Sequence, residues 1–463
     1  MHFPWLSCPS QLSLRLTYDE ALRPKFHFTA LKGRINDPNG LLVYKDEYHL
    51  YYQLNQGQGG CWGHAVSKDL LHWKQLPVAL PVLVAGGTNY PAFSGSAVVD
   101  IDNTAGFQKG AEKTLVALYT RWGKGQYLAF SNDRGRTWND YSGNPVIFLP
   151  NDEKTTWTDP ARDPRIIWHE GTKRWIAVLY QKVEGKGGFG FFSSTDLKKW
   201  TFESHLPGFY VCPDFFQLPV EGEGGSDQLW GIMDWADYGI GTFDGHRLEM
   251  RGEKRKLDEG NAFSANQTWW AGSAKEFRRI QIAWLQSDKQ MEGMPFDQQL
   301  TFPCLLSLKH QPDGIRLFRY PIPEISRLRT ETNLVKDKLL HTGEFLTSPV
   351  ENYTFDIALD IEPKSLGNFS IIVRGTVIDY NLQKSEISFL DKKATLPLMT
   401  DGHLRLRILA DIASLELFGN NGFLSMTSYV EPQIQKRSVS LQSRDGDYLI
   451  HELRVSKISS IWH

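Results

Sequence analysis

Three short segments hold the residues best placed to do chemistry. In "GRINDPNG" (Gly33 to Gly40), Asp37 precedes a proline that fixes its backbone, and flanking asparagines with a closing glycine supply a tight turn that aims one carboxylate at one point. In "TDPARDPRII", Asp163 lies between Arg162 and Arg165, cations expected to hold it ionised. As a plain surface turn, the same ion pair would be worth little. The nearby Asp159-Pro160 pair has no such flanks. In "GFYVCPDFFQLP" (Gly208 to Pro219) the Pro-Asp pattern returns, yet Val211 offers nothing that moves a proton.

The elements that must position these residues are short strands. From about residue 25 to 310 the chain runs through "YHLYYQL", "SGSAVVD", "TLVALYT", "RWIAVLY", "FGFFSS" and "RIQIAWL", alternating or wholly apolar and broken by turn clusters, with no long helical periodicity. The class is all-β. One pattern recurs in "SKDLLHW", "SNDRGRTW" and "SSTDLKKW", ending at Trp73, Trp138 and Trp200. Regular spacing of a Ser-x-Asp turn closed by tryptophan marks the blades of a propeller, and about 300 residues at roughly 60 per blade predict five. The stretch Phe318 to Val335, with two prolines, reads as strandless linker. Beyond it "YTFDIALDIE", "FSIIVRG" and "LRLRILADIASLELFGNNG" read as an antiparallel sandwich. The expected division is a five-bladed β-propeller over residues 1–325 and a C-terminal β-sandwich over 326–463.

Composition narrows the partners. The 51 basic and 53 acidic side chains of this 463-residue chain leave a net charge of −2 without long runs of either sign, so neither nucleic acid nor an anionic membrane is the expected partner. Fifteen tryptophans suit a protein that stacks aromatic faces on sugars. Cys8, Cys61, Cys212 and Cys304 are widely spaced, without a CxxC pair, and are expected to be free thiols rather than zinc ligands; no metal and no cofactor is expected. No run reaches the length of a membrane span, and the first 20 residues lack the basic start and apolar core of a signal peptide, so the sequence as given reads as soluble.

"RPKFHFTALKGRINDPNGLLVYKDEYHLYYQLNQ", "WGHAVSKDLLHW", "FSGSAVVD", "ARDPRI", "CPDFF" and "GTFDG", in this order, resemble glycoside hydrolase family 32, the invertases, levanases and inulinases. "GMPFDQQLTFPCLLSLK" and "LADIASLELFGNNG" extend the resemblance to its levanase-like bacterial branch. The resemblance implies a five-bladed propeller with an axial funnel, a following sandwich, and hydrolysis of β-D-fructofuranosides such as sucrose, levan or inulin. It implies that Asp37 is the nucleophile and that Asp163 binds fructose hydroxyls and steadies the transition state. Asn36, Gln53, Trp62, Phe93, Ser94 and Arg162 match positions lining the fructose subsite.

Retaining chemistry needs a second carboxyl about 5 to 5.5 Å from the nucleophile to protonate the leaving oxygen. The family's acid is the glutamate of a Glu-Cys-Pro-Asp motif, and this chain has Val211-Cys212-Pro213-Asp214. Other family positions differ too: "GQGGCWG", Cys304-Leu305, Ala262 and Ser264. Substitute acids are Asp234 and Asp237, on a loop before "GTFDG", with Glu292 and Asp214 as weaker candidates. Asp214, three residues on in an extended segment, faces away from Val211. A chain without its acid remains a slow hydrolase, a fructose- or fructan-binding protein, or a fructosyltransferase.

Overall fold

The structure, a computed structural model, describes residues 17–57, 59–148, 161–222, 228–271, 278–289, 291–433 and 435–462. Cys8 and the Asp159-Pro160 pair lie outside them. Alternation in the sequence becomes strand after strand, and the described residues are nearly all-β. From Gly33 to Pro321, five sheets of four or five strands, antiparallel but for one edge pair, follow one another. The first strands of these sheets are Gly33–Tyr44, Ala92–Asp100, Arg162–His169, Asp214–Pro219 and Phe263–Ala271. Each lies against the first strand of the next sheet, and the last returns to Gly33–Tyr44. The circuit is also tied through the backbone, because Phe296–Asp297 pairs in parallel with Gly33 and Arg34. Strands covered on both faces carry continuous apolar runs, as in Thr114–Arg121, where all eight residues are buried.

The recurring turn is a structural repeat. Ser67, Ser131 and Ser194 each bond through the hydroxyl to the aspartate two residues on, and that carboxylate then accepts backbone N–H groups of the turn. Leu70, Arg134 and Leu197 take the left-handed conformation at equivalent points, with φ of 65°, 60° and 63°. The indole N–H of Trp73, Trp138 and Trp200 donates to a backbone carbonyl three residues back. Each tryptophan thus closes a turn, and none of the three lines the cavity described below.

The stretch expected to be strandless is mostly structured. Gly314–Pro321 is a strand, Pro323–Leu328 a short 3-10 turn, and Arg329–Leu340 a strand. Pro321 ends its strand and Pro323 opens the turn, positions where a missing N–H leaves no ladder bond unmade. Two six-stranded antiparallel sheets follow, enclosing an apolar core that includes Phe355, Ile357, Ile371, Ile387, Leu417 and Ile450.

A buried polar cluster joins the two regions. The His27 ring bonds Asp411 at 2.9 Å and Glu416 at 2.8 Å, while Arg319 pairs with Glu416 at 2.9 Å and Asp258 at 3.3 Å. Burial alone would lower the His27 pKa, but its bonds to Asp411 and Glu416 prevail and raise it to about 9. Among the described residues, Cys61, Cys212 and Cys304 are free thiols, and no helix is long and apolar enough to cross a membrane.

Candidate active site

The first strands of four sheets break register close to the same pocket. The pairing slips between Ile35 and Pro38, between Ala92 and Gly95, between Arg162 and Arg165, and between Ser264 and Gln267. Such bulges re-aim side chains that regular alternation would turn into the sheet. The residues within or beside the slips are Asn36 and Asp37, Phe93 and Ser94, Arg162 and Asp163, and Ser264 and Ala265, and all eight line one cavity of about 470 Å³. Gln53, Val211 and Cys212 complete its floor and walls. Three of the lining residues, Asp163, Cys212 and Ala265, hold φ near +50° to +60°, a conformation costly for side-chain-bearing residues and found where a site dictates geometry. Gly95 follows Ser94 where a Cβ would come within 2.3 Å of the Leu118 carbonyl oxygen, so the neighbouring strand can approach only a glycine.

Asp37 is partly exposed to the cavity. Its Oδ2 accepts from the Ser94 hydroxyl at 2.6 Å and the Cys212 thiol at 3.4 Å, and its Oδ1 accepts from Asn36 at 3.2 Å. Asp163 is buried; its backbone N–H donates to Thr120, and its Oδ2 accepts from the Cys212 backbone N–H at 3.3 Å and lies 3.7 Å from the thiol. Cys212 therefore stands between the two carboxylates. Burial, then the charges of Asp163 and Asp37, push its thiol far up, so it serves as an S–H donor.

The expected ionisation of Asp163 is corrected. Burial first, and the Asp37 charge second, raise its carboxyl to about 7 against the opposing pull of Arg162, whose Nε lies 3.6 Å away. Arg165 does not help, because it turns away to Asp214 at 2.8 Å and to the Thr268 carbonyl at 3.2 Å. The register slip between Arg162 and Arg165 puts the two arginines to different uses. Arg162 stays in the cavity with its guanidinium over Tyr180.

Val211 lines the cavity yet is 5 % exposed, packed in an apolar cluster with Phe209 and Phe215. Among the described lining residues, Asp37 and Asp163 are the carboxyls. Asp214 is buried against Arg165 and is absent from the lining. Asp234 sits behind the wall, accepting from the Tyr210 N–H and pairing with Lys254, both at 3.1 Å. Asp237 pairs with Lys254 at 3.3 Å and Lys256 at 2.8 Å. Glu292 is exposed elsewhere. None of the four borders the cavity.

Trp62 is also outside it. The indole is completely buried among Tyr51 and Tyr119, and its N–H donates to the Phe93 carbonyl at 2.9 Å, so it braces the bulge that presents Phe93 and Ser94. The aromatic faces in the cavity are others: Trp122, stacked on Phe93 at 4.5 Å, Trp284, and the exposed Tyr210 and Trp235 at the mouth. Composition signalled an aromatic wall, but which tryptophans form it depends on bulges and loops that the sequence pattern does not reveal.

A circuit of five sheets, a following sandwich and two aspartates meeting on one aromatic-walled cavity form an architecture that suits a glycosidase. Residues 27–321 match the glycosyl hydrolases family 32 N-terminal domain and residues 324–459 the glycosyl hydrolases family 32 C-terminal domain, so the chain belongs to that family. It is 32 % identical to a levanase of Bacillus subtilis, over 96 % of this chain and 72 % of that one. It is 28 % identical to an extracellular exo-inulinase of Aspergillus niger over 96 % of each chain. The crystal structure of the exo-inulinase from Aspergillus awamori superposes with a TM-score of 0.85, at 26 % identity, over 96 % of this chain and all of that one.

Proposed function

We propose that this protein cleaves β-D-fructofuranosides of the sucrose, levan or inulin type with retention of configuration, at a rate held down by the lack of a general acid. In this scheme an Asp37 carboxylate oxygen attacks the anomeric carbon, the glycosidic C–O bond breaks, and the leaving alkoxide takes its proton from water. Water then hydrolyses the fructosyl ester and regenerates Asp37. Asp163, Arg162, Gln53, Asn36 and Ser94 hold the sugar hydroxyls, and Phe93 with Trp122 offers a stacking face. Trp62 contributes by holding the Phe93–Ser94 segment. The catalytic region is residues 1–325, with 326–463 as its sandwich; the 3-10 turn Pro323–Leu328 between two sheet systems supports that division.

The observation that carries the reading is the meeting of Asp37 and Asp163 on one cavity, linked through the Cys212 thiol, with Val211 on the same wall. The similar levanase and exo-inulinase are named for fructans, which supports the substrate class. Val211 equally supports a second reading, a protein that binds fructosides without turning them over. Incubation with sucrose, 1-kestose, levan and inulin separates the two. Slow release of fructose that disappears in Asp37→Asn is expected; absent turnover with calorimetrically detectable fructose binding establishes the second reading. Products longer than the substrate would identify transfer.

A further inference from the structure

Outside the cavity lining, on a sandwich sheet, two histidines and a glutamate meet across three neighbouring strands. Glu362 lies on the central strand, Phe355–Pro363. His403 directly precedes Leu404–Asp411, which pairs with that strand on one side. His451 belongs to Tyr448–Ile458, which pairs with it on the other. The register there passes from Asp360 opposite Glu452 to Ile361 opposite Ile450, leaving His451 as the extra residue of a bulge. A bulge redirects a side chain, and this one brings His451 to Glu362, with Nε2 at 2.9 Å from Oε2.

We infer that Glu362, His403 and His451 form a binding site for a divalent transition-metal ion of the zinc class. One ligand atom from each lies within 4.8 Å of the others. Tetrahedral zinc with bonds of about 2.0 to 2.1 Å sets its ligand atoms roughly 3.4 Å apart, so side-chain adjustments of about 1 Å close the shell. Two imidazoles and one carboxylate are a ligand set zinc accepts, with the outward position left for water. The histidine rings are stacked, centroids 4.3 Å apart and 17° from parallel, so they are already neighbours and the rings must tilt for both in-plane lone pairs to converge on one ion.

The surroundings complete the arrangement. Asp360, on the same strand as Glu362, accepts from His403 Nδ1 at 2.6 Å and is itself held by Arg405 at 2.9 Å. A carboxylate on one ring nitrogen turns the other nitrogen's lone pair outward as a ligand and fixes the ring, the usual support of a metal-bound histidine. Lys364 pairs with the second oxygen of Glu362 at 2.6 Å and leaves Oε2 to the histidine side. All three ligands are partly exposed, so the ion has a route in and substitutions leave the sheet intact.

The test is calorimetric titration of the full chain, stripped with chelator and dialysed, with zinc chloride, alongside a His403→Ala/His451→Ala double variant and Asp360→Asn. Circular dichroism and the chelator-treated thermal midpoint check that each variant folds. The expected result is one zinc per chain in the parent, loss of that equivalent in the double variant, and weakening by about 10- to 100-fold in Asp360→Asn, the scale for a group that orients a ligand. Zinc should also raise the parent's thermal midpoint and leave the double variant's unchanged. A parent that binds no zinc at 1 mM, about the weakest affinity worth the name of a site, overturns the inference. Equal binding by parent and folded double variant overturns it as well.

Discussion

Asp163→Asn should stabilise the protein at alkaline pH and do little for it in acid. The carboxyl moves from 3.8 in an unfolded chain to about 7 in the fold, through burial and then the charge of Asp37. A tenfold change in proton affinity is 1.36 kcal/mol, so ionised Asp163 withholds about 4 kcal/mol of stability at pH 8. The sign follows from proton binding: the folded state binds more protons than the unfolded state between about pH 4 and 7, so stability falls as pH rises through that window and levels off above it. Asparagine keeps the shape and a carbonyl oxygen for the Cys212 N–H but carries no charge. Thermal unfolding of parent and variant at pH 5 and pH 8 supplies the assay. The midpoint difference should favour the variant by several degrees at pH 8 and shrink at pH 5. A difference independent of pH, or one that grows in acid, would refute the claim that burial and Asp37 keep a proton on Asp163 near neutrality.

Three further outcomes are expected. His27→Gln should remove a pH dependence at the other end of the scale: a histidine raised to about 9 contributes stability that is complete below about pH 6.5 and is lost as pH rises through 9, an effect of about 3 kcal/mol. Parent and variant should therefore converge in alkaline denaturant titrations, and parallel curves would count against a charged His27. Trp62→Ala should destabilise the fold by about 3 to 5 kcal/mol, the cost of emptying a buried aromatic site, whereas Trp122→Ala should weaken fructose binding with little loss of stability. The reverse pattern in calorimetry and thermal unfolding would return Trp62 to the sugar-contacting wall. Ser94→Ala should leave the fold intact and lower fructose release, because the 2.6 Å hydroxyl bond that steers Asp37 is gone; unchanged release would separate Ser94 from the work of Asp37.

Legibility in the sequence followed the range of the interactions involved. The Ser-x-Asp turns closed by Trp73, Trp138 and Trp200 are local, and their hydrogen bonds span two to four residues, so the repeat could be read directly. Asp37 was legible as a site residue, but the tight turn expected around it is instead a register slip inside the strand Gly33–Tyr44, which depends on its pairing with Glu47–Asn55. Asp163 was legible as a site residue but not as a titrating one, since its burial and its proximity to Asp37 are set by strands 126 positions apart in the numbering from 37 to 163. Arg165 looked like a partner by adjacency, and a bulge sends it to Asp214. Trp62 looked like a sugar platform because family motif and composition agree on tryptophan, while its complete burial comes from Tyr51 and Tyr119 on other strands. Asp234 and Asp237 are candidate proton donors in the sequence, and in the fold they are paired with Lys254 and Lys256 instead. The polar cluster around His27 joins residues more than 380 positions apart, and no local pattern announces it.

In the proposed site Asp37 is a working nucleophile and Val211 stands where the acid would be, and Val211→Glu puts both roles to the test. Glutamate there would sit among Phe209 and Phe215 and near Asp37, surroundings that raise a carboxyl's pKa as a retaining acid requires. Turnover of sucrose and of β-fructofuranosyl fluoride should be measured for parent, Val211→Glu and Val211→Glu/Asp37→Asn. The expected result is a gain of roughly 10² or more on sucrose, the scale of a positioned general acid, a far smaller gain on the fluoride, whose leaving group needs little protonation, and no turnover of either once Asp37 is replaced. A folded, sugar-binding Val211→Glu protein no faster than its parent on sucrose would contradict it.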